Sequence, residues 1–141
     1  MKPVLTHLAE SALYVDDLER AIAFYTSLFE IPVLRRNERF CALRITADQV
    51  LLLFLRGASF MPTPLPGGVV PPHDGHGPLH VCFGIAADDV TAWEKHLREE
   101  GIPIESRMRW PSGAISLYFR DPDHHAVELA TPGVFADGGE S

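Results

Sequence analysis

Glu10, His80 and Glu128 carry the donor types that a divalent cation takes, two carboxylates and one imidazole, and each opens or lies within a short apolar run. Side chains of a strand alternate between its two faces. Leu13 and Val15 belong to a buried face, so Glu10, Ala12 and Tyr14 look the other way. By the same rule Val81, Phe83 and Ile85 go inward and His80, Cys82 and Gly84 outward, while Val127 and Leu129 go inward and leave Ala126, Glu128 and Ala130 outward. Hard oxygen and borderline nitrogen donors that leave open coordination positions would make a Lewis acid, able to polarise a carbonyl or hydroxyl and to lower the pKa of bound water. Mn, Ni, Zn, Fe or Mg each suit such a set. The plainer alternative is a pair of cleft carboxylates hydrogen-bonded to water or to an arginine.

The elements that must position these residues form a repeat. From Glu10 the chain reads ESALYVDDLERAIAFYTSLFEIPV, and from His80 it reads HVCFGIAADDVTAWEKHLREEGIPI. Each passage gives an apolar strand, an Asp-Asp pair, a helix-periodic run and an Ile-Pro step. Leu18, Ala21, Ile22, Tyr25, Leu28 and Phe29 form one helical stripe behind Asp16 or Asp17 as N-cap. Val90, Trp93 and Leu97 form the other behind Asp88 or Asp89, with Gly101 as a left-handed stop. Strand-like runs follow near Val33, over 40–45 and 50–55, and then near Ile104, over 114–119 and 126–130. The pattern predicts an α+β fold, two βαβββ units whose curled mixed sheets form a shared cleft. The boundaries expected are unit 1 over about 8–56, a loop over 57–78 and unit 2 over about 79–131, one domain ending near 132, then a fraying tail over 133–141.

The chain has 141 residues, 46% of them hydrophobic, enough for a sizeable core. No run approaches the ~20 apolar residues of a membrane helix, and no leader of the secretory type is read, so a cytoplasmic protein is expected. Cys41 and Cys82 do not make a disulfide framework. A net charge of −7 without a basic cluster argues against nucleic acid as a partner. Six of the twelve prolines fall in 57–78, which excludes a helix or central strand there and suggests a loop arching over a surface.

Further candidates surround the three. His73 and His76 precede His80 in an H-x2-H-x3-H pattern. Solvated loop histidines are the plainer reading of the first two, but a lid histidine near neutral pKa could act as acid or base, with His73 preferred. His124 and His125 read as turn residues, and His7 and His96 as surface groups. Arg44, Arg107, Arg109 and Arg120 could each bind a substrate carboxylate or phosphate, against the simpler surface ion pair. Arg44, Tyr118 and Trp110 are carried as substrate-binding candidates, Tyr118 because it shares a strand face with Ser116.

The paired units, LYVDDLERAIAFY at Leu13–Tyr25, GPLHVCFGI at Gly77–Ile85 and FRDPDHHAVEL at Phe119–Leu129 resemble the vicinal oxygen chelate superfamily of glyoxalases, extradiol dioxygenases, fosfomycin-resistance transferases and bleomycin-resistance proteins. The resemblance implies a metal held by Glu10, His80 and Glu128, with Glu10 where the family commonly has histidine. It places Leu51 where glyoxalases carry a fourth ligand, which disfavours the full four-ligand set. One histidine with two glutamates also departs from the dioxygenase pattern. The function implied is a glyoxalase-like, metal-dependent lyase or isomerase for a small oxygen-rich substrate, in a homodimer. The alternative is a metal-free, bleomycin-resistance-like protein that sequesters a drug or metabolite.

Overall fold

The computed structural model describes residues 1–136, so residues 137–141 of the expected fraying tail lie outside the described residues. The chain divides into two compact units, Met1–His76 and Gly77–Ser141, and the proline-rich segment belongs with the first almost to its end.

Unit 1 runs β1 (Glu10–Val15), α1 (Leu18–Phe29), β2 (Val33–Arg36), β3 (Phe40–Thr46) and β4 (Gln49–Leu55). The sheet order is β1-β4-β3-β2, with β1 parallel to β4 and the remaining pairs antiparallel. Asp17 caps α1: its carboxylate accepts the Arg20 N–H at 3.1 Å, one of the donors that a helix start leaves without a partner. The helix ends at Glu30, in the left-handed region at φ 52°. Ala21 and Tyr25 are fully buried, as are Leu13, Val15, Leu43 and Leu53, so the helix stripe and alternate strand residues share one core.

Unit 2 repeats the plan with β7 (His80–Gly84), α2 (Val90–Glu99), β8 (Ser106–Arg109), β9 (Ile115–Arg120) and β10 (Ala126–Ala130). Its sheet order, β7-β10-β9-β8, is that of unit 1 strand for strand, with β7 parallel to β10. The start of α2 differs from expectation. Neither Asp88 nor Asp89 caps it with a side chain; a 3₁₀ turn over Ala87–Asp89 leads into the helix instead. The end follows expectation, with Gly101 at φ 71° and the Ile102 and Gly101 N–H groups donating to the Leu97 and Arg98 carbonyls, which closes the last turn. Val90 and Leu97 are buried but Trp93 only partly, its ring edge meeting His96 at 5.7 Å. The strand expected near Ile104 begins two residues later, at Ser106.

Within the proline-rich segment the chain forms a small hairpin, β5 (Thr63–Leu65) and β6 (Gly68–Val70), a sheet of its own. Proline is compatible with it because a two-stranded ribbon leaves outward N–H positions unused. Among the described residues no helix is long and apolar enough to cross a membrane.

Candidate functional site

In unit 2 the β7/β10 register sets Cys82 beside Glu128 and His80 beside Ala126. Glu128 is buried at 7% exposure, and a buried carboxylate without partners would be costly. It has several. Ser116 Oγ donates to Glu128 Oε2 at 2.5 Å, and Trp110 Nε1 donates to Ser116 Oγ at 2.9 Å, so a tryptophan-serine relay steadies one carboxylate oxygen. The other, Oε1, lies 3.2 Å from His80 Nε2. The Tyr118 ring stacks against His80 with centroids 6.4 Å apart. Burial, the Glu128 charge and a hydrogen bond to Glu128 raise the Tyr118 hydroxyl pKa. Burial first, then the same carboxylate, pushes the Cys82 thiol up to about 12, so it is a proton donor and not a nucleophile.

The histidine's protonation follows from its partners. His80 Nδ1 lies 2.8 Å from the Ala126 carbonyl, which can only accept, so Nδ1 carries a proton. In the neutral ring Nε2 then presents a lone pair to the Glu128 carboxylate, and two acceptors 3.2 Å apart require a positive charge between them. A shared proton or a cation supplies it. An imidazole whose far nitrogen donates to a carbonyl while its near one faces a carboxylate is the arrangement that orients a metal-bound histidine, so this donor pair fits a divalent ion. Among the described residues, no group of three or more His, Cys, Asp or Glu side chains gathers in a way that could hold a metal. The pair brought together is therefore His80 and Glu128, while Glu10 is a residue of unit 1.

His125 is the residue that sequence reading missed. Expected in a turn, it is fully buried, and its Nδ1 accepts the Leu79 N–H at 2.7 Å. Ala126 N–H donates to the Leu79 carbonyl, and Asp121 accepts the His125 N–H at 2.8 Å. These bonds fix the start of β7 against β10, which sets the height of His80. Only His124, at φ 65°, is a turn residue. The tell-tale signal in the sequence is Asp121, four residues ahead of His125, an acid able to fold back on the chain.

Unit 1 places Glu10, Ala12 and Tyr14 on the wall of a cavity of about 780 Å³, as parity requires, with Leu52 and Phe54 of β4 beside them. The hairpin and the following Pro71 and Pro72 form the opposite wall. His73 lines it too: the Tyr14 hydroxyl, its pKa raised by burial and then by Asp74, lies 2.7 Å from His73 Nδ1. Gly75 packs on the Tyr14 ring, where an added Cβ would fall 2.4 Å from Cδ2. Asp74 accepts the Gly57 N–H at 3.1 Å, and Arg56 donates to the Gly75 carbonyl at 2.6 Å, closing the two ends of the segment. Bonds from Gly57 and Gly75 hold the Asp74 carboxyl below its usual range.

Strand pairing corrects one residue. Glu10 pairs with Val50 and His80 with Ala126, so the unit 1 counterpart of Glu128 is Leu52, not Leu51. Leu51 faces the core at 1% exposure, whereas Leu52 lines the cavity. The place remains a leucine. Arg44 is exposed and outside the cavity lining. Arg107 and Arg120 are in surface ion pairs with Glu94 and Glu105. His7 is exposed beside the Asp48 carbonyl, and exposed His76 sits 3.6 Å from Asp74.

Two units of one βαβββ-like topology, one of them presenting a histidine-glutamate pair, define a class of protein, and residues 4–129 match the model of the Glyoxalase/Bleomycin resistance protein/Dioxygenase superfamily. The chain belongs to that superfamily. It is similar to the metallothiol transferase FosB of Bacillus licheniformis, 30% identical over 122 residues that cover 86% of this chain and 72% of that one. Among solved structures it resembles lactoylglutathione lyase from Agrobacterium tumefaciens, with a TM-score of 0.85, 31% identity and coverage of 96% and 99%. The fosfomycin resistance protein FosX from Listeria monocytogenes shares the fold, with a TM-score of 0.66 and 18% identity over 99% of this chain and all of that one.

Proposed function

We propose that the chain is a divalent-metal-dependent enzyme of the glyoxalase kind, a lyase or isomerase acting on a small oxygen-rich substrate, with Glu10, His80 and Glu128 as metal ligands. The observation that carries this reading is the 3.2 Å approach of His80 Nε2 to Glu128, with Nδ1 already committed to Ala126. A divalent cation bound there supplies a Lewis acid that polarises a substrate oxygen. The protein's own groups do the rest. Trp110 and Ser116 hold Glu128 in place, and Tyr118 and Trp110 flank the substrate. His73, its Nδ1 held by Tyr14, exchanges a proton at Nε2 as acid or base. Names of relatives point the same way, one a metallothiol transferase and one a lyase of a glutathione conjugate, which suggests a thiol adduct as the substrate. A cytoplasmic homodimer completes the proposal.

A second reading has support of its own. The unit 1 cavity is large enough for a small molecule, and leucine at position 52 gives it no ligand there, which suits a metal-free protein that sequesters a drug or metabolite. Elemental analysis of protein purified without chelator separates the two. One metal per chain, lost in His80→Ala, Glu128→Ala and Glu10→Ala, is the expected result. Metal-free protein whose melting temperature ignores added Mn²⁺, Ni²⁺, Zn²⁺, Fe²⁺ and Mg²⁺ would sink the enzyme reading.

A further inference from the structure

Two arginines of unit 1 line its cavity. Arg36, Arg56, Arg107 and Arg120 each hold a carboxylate, of Glu19, Asp16, Glu94 and Glu105. Arg35 and Arg39 line the 780 Å³ cavity, and among the described residues neither guanidinium has a carboxylate partner. Parity explains Arg35: it pairs with Ala42 and faces the cavity, while Arg36 turns to Glu19 on α1. Arg35 lies on β2, and Arg39 on the turn that follows, where Asn37 Oδ1 accepts the N–H groups of Arg39 and Phe40 at 2.8 and 3.1 Å and the Asn37 N–H donates to the Phe40 carbonyl. Such fixed placement lowers the ordering cost of binding.

The same lining carries a cluster of aromatic rings. Tyr14 stacks on Phe54 at 5.8 Å, Phe40 on Phe54 at 5.9 Å, and His73 meets Phe54 edge-on at 4.5 Å. Glu10 is the single acid in the lining, so two guanidiniums and one carboxylate leave one positive charge.

We propose that this cavity binds a planar, apolar monocarboxylate, its anion on Arg35 and Arg39 and its ring against the Tyr14–Phe54 wall. The inference goes beyond the proposed function, adding a ligand site that rests on unit 1 alone. The probe is 2-naphthoate, with neutral 2-naphthamide as the control, titrated by calorimetry into the full chain in excess chelator. Naphthoate should bind about tenfold more tightly than the amide, the ratio that a charge-assisted hydrogen bond gives. Arg35→Gln with Arg39→Gln should erase the difference, and Arg39→Gln alone should halve it on a logarithmic scale. Added salt should weaken the acid and spare the amide. Equal affinity for acid and amide in the unaltered chain, or a difference that survives the double substitution, overturns the proposal. His80→Ala should keep naphthoate binding while losing metal, so failure of the metal reading and failure of this one give different results.

Discussion

The two units use one topology for opposite ends. Where unit 2 sets His80, Cys82 and Glu128 on adjacent strands, unit 1 at the same register places Glu10, Ala12 and Leu52. The first arrangement concentrates hydrogen-bonding groups around a buried carboxylate, and the second leaves room, walled by aromatics and a hairpin. A repeat is free to diverge in this way because the outward face of each sheet is not what holds the unit together. The inward faces hold each unit: Leu13 and Val15, Leu51 and Leu53 in one, Val127 and Leu129, Leu117 and Phe119 in the other, all at 1% exposure or less.

The shared inward face is broken most severely by Leu53→Ala, which removes a fully buried side chain from unit 1 and should cost about 2–5 kcal/mol in a urea melt. The outward face of the same unit responds less. Gly75→Ala drives a methyl group into the Tyr14 ring and should cost about 1–3 kcal/mol, with loss of the Tyr14–His73 bond visible in the histidine's NMR shifts. If the melt is unchanged, the packing of the segment on Tyr14 is not what the distances imply.

Unit 2 offers a chemical test of its carboxylate. Because the Cys82 thiol is pushed up to about 12 from an ordinary value of 9.0, it stays protonated in both folded and unfolded chains at neutral pH. Between those two values only the unfolded chain ionises, so this group's share of stability falls as pH rises through that window. Alkylation of native protein at pH 8 should therefore be slow at Cys82. Glu128→Gln removes the neighbouring negative charge and should speed it about threefold or more, without reaching an unperturbed thiol's rate, since desolvation, the larger cause, persists. Rates that do not change would deny that Glu128 governs the thiol. The smallest contrast compares helix starts: Asp17→Ala should cost about 1 kcal/mol, and Asp89→Ala, which removes no capping bond, less than about 0.5 kcal/mol.

Period-two alternation made β1, β7 and β10 legible, down to which side Glu10, His80 and Glu128 take, because each of these strands has one apolar face. It failed for β4, where QVLLLFL carries leucine at 51, 52 and 53, so parity has no contrast and the counterpart of Glu128 was set one residue too early. The Asp-Asp pairs were read alike, though only Asp17 reaches an N–H; what differs is a 3₁₀ turn, which composition does not encode. His125 was hidden for another reason. Its neighbours Asp-Pro-Asp-His advertise a turn, and its burial depends on Leu79, 46 residues away. Arg35 and Arg39 gave no signal as exposed charges, since their meaning lies in the cavity they line, built partly from the hairpin and from β4.

In both sheets the strand that begins the unit lies beside the one that ends it. During synthesis the segment Glu10–Val15 thus has no neighbour to hydrogen-bond until Gln49–Leu55 has been made, and His80–Gly84 waits for Ala126–Ala130. Local hairpins form early and the parallel closure comes last, as loop entropy demands. Once residues 1–76 have fully emerged the first unit can zip shut, whereas a nascent chain without Ala126–Ala130 leaves His80–Gly84 with an open edge, an exposed template for aggregation.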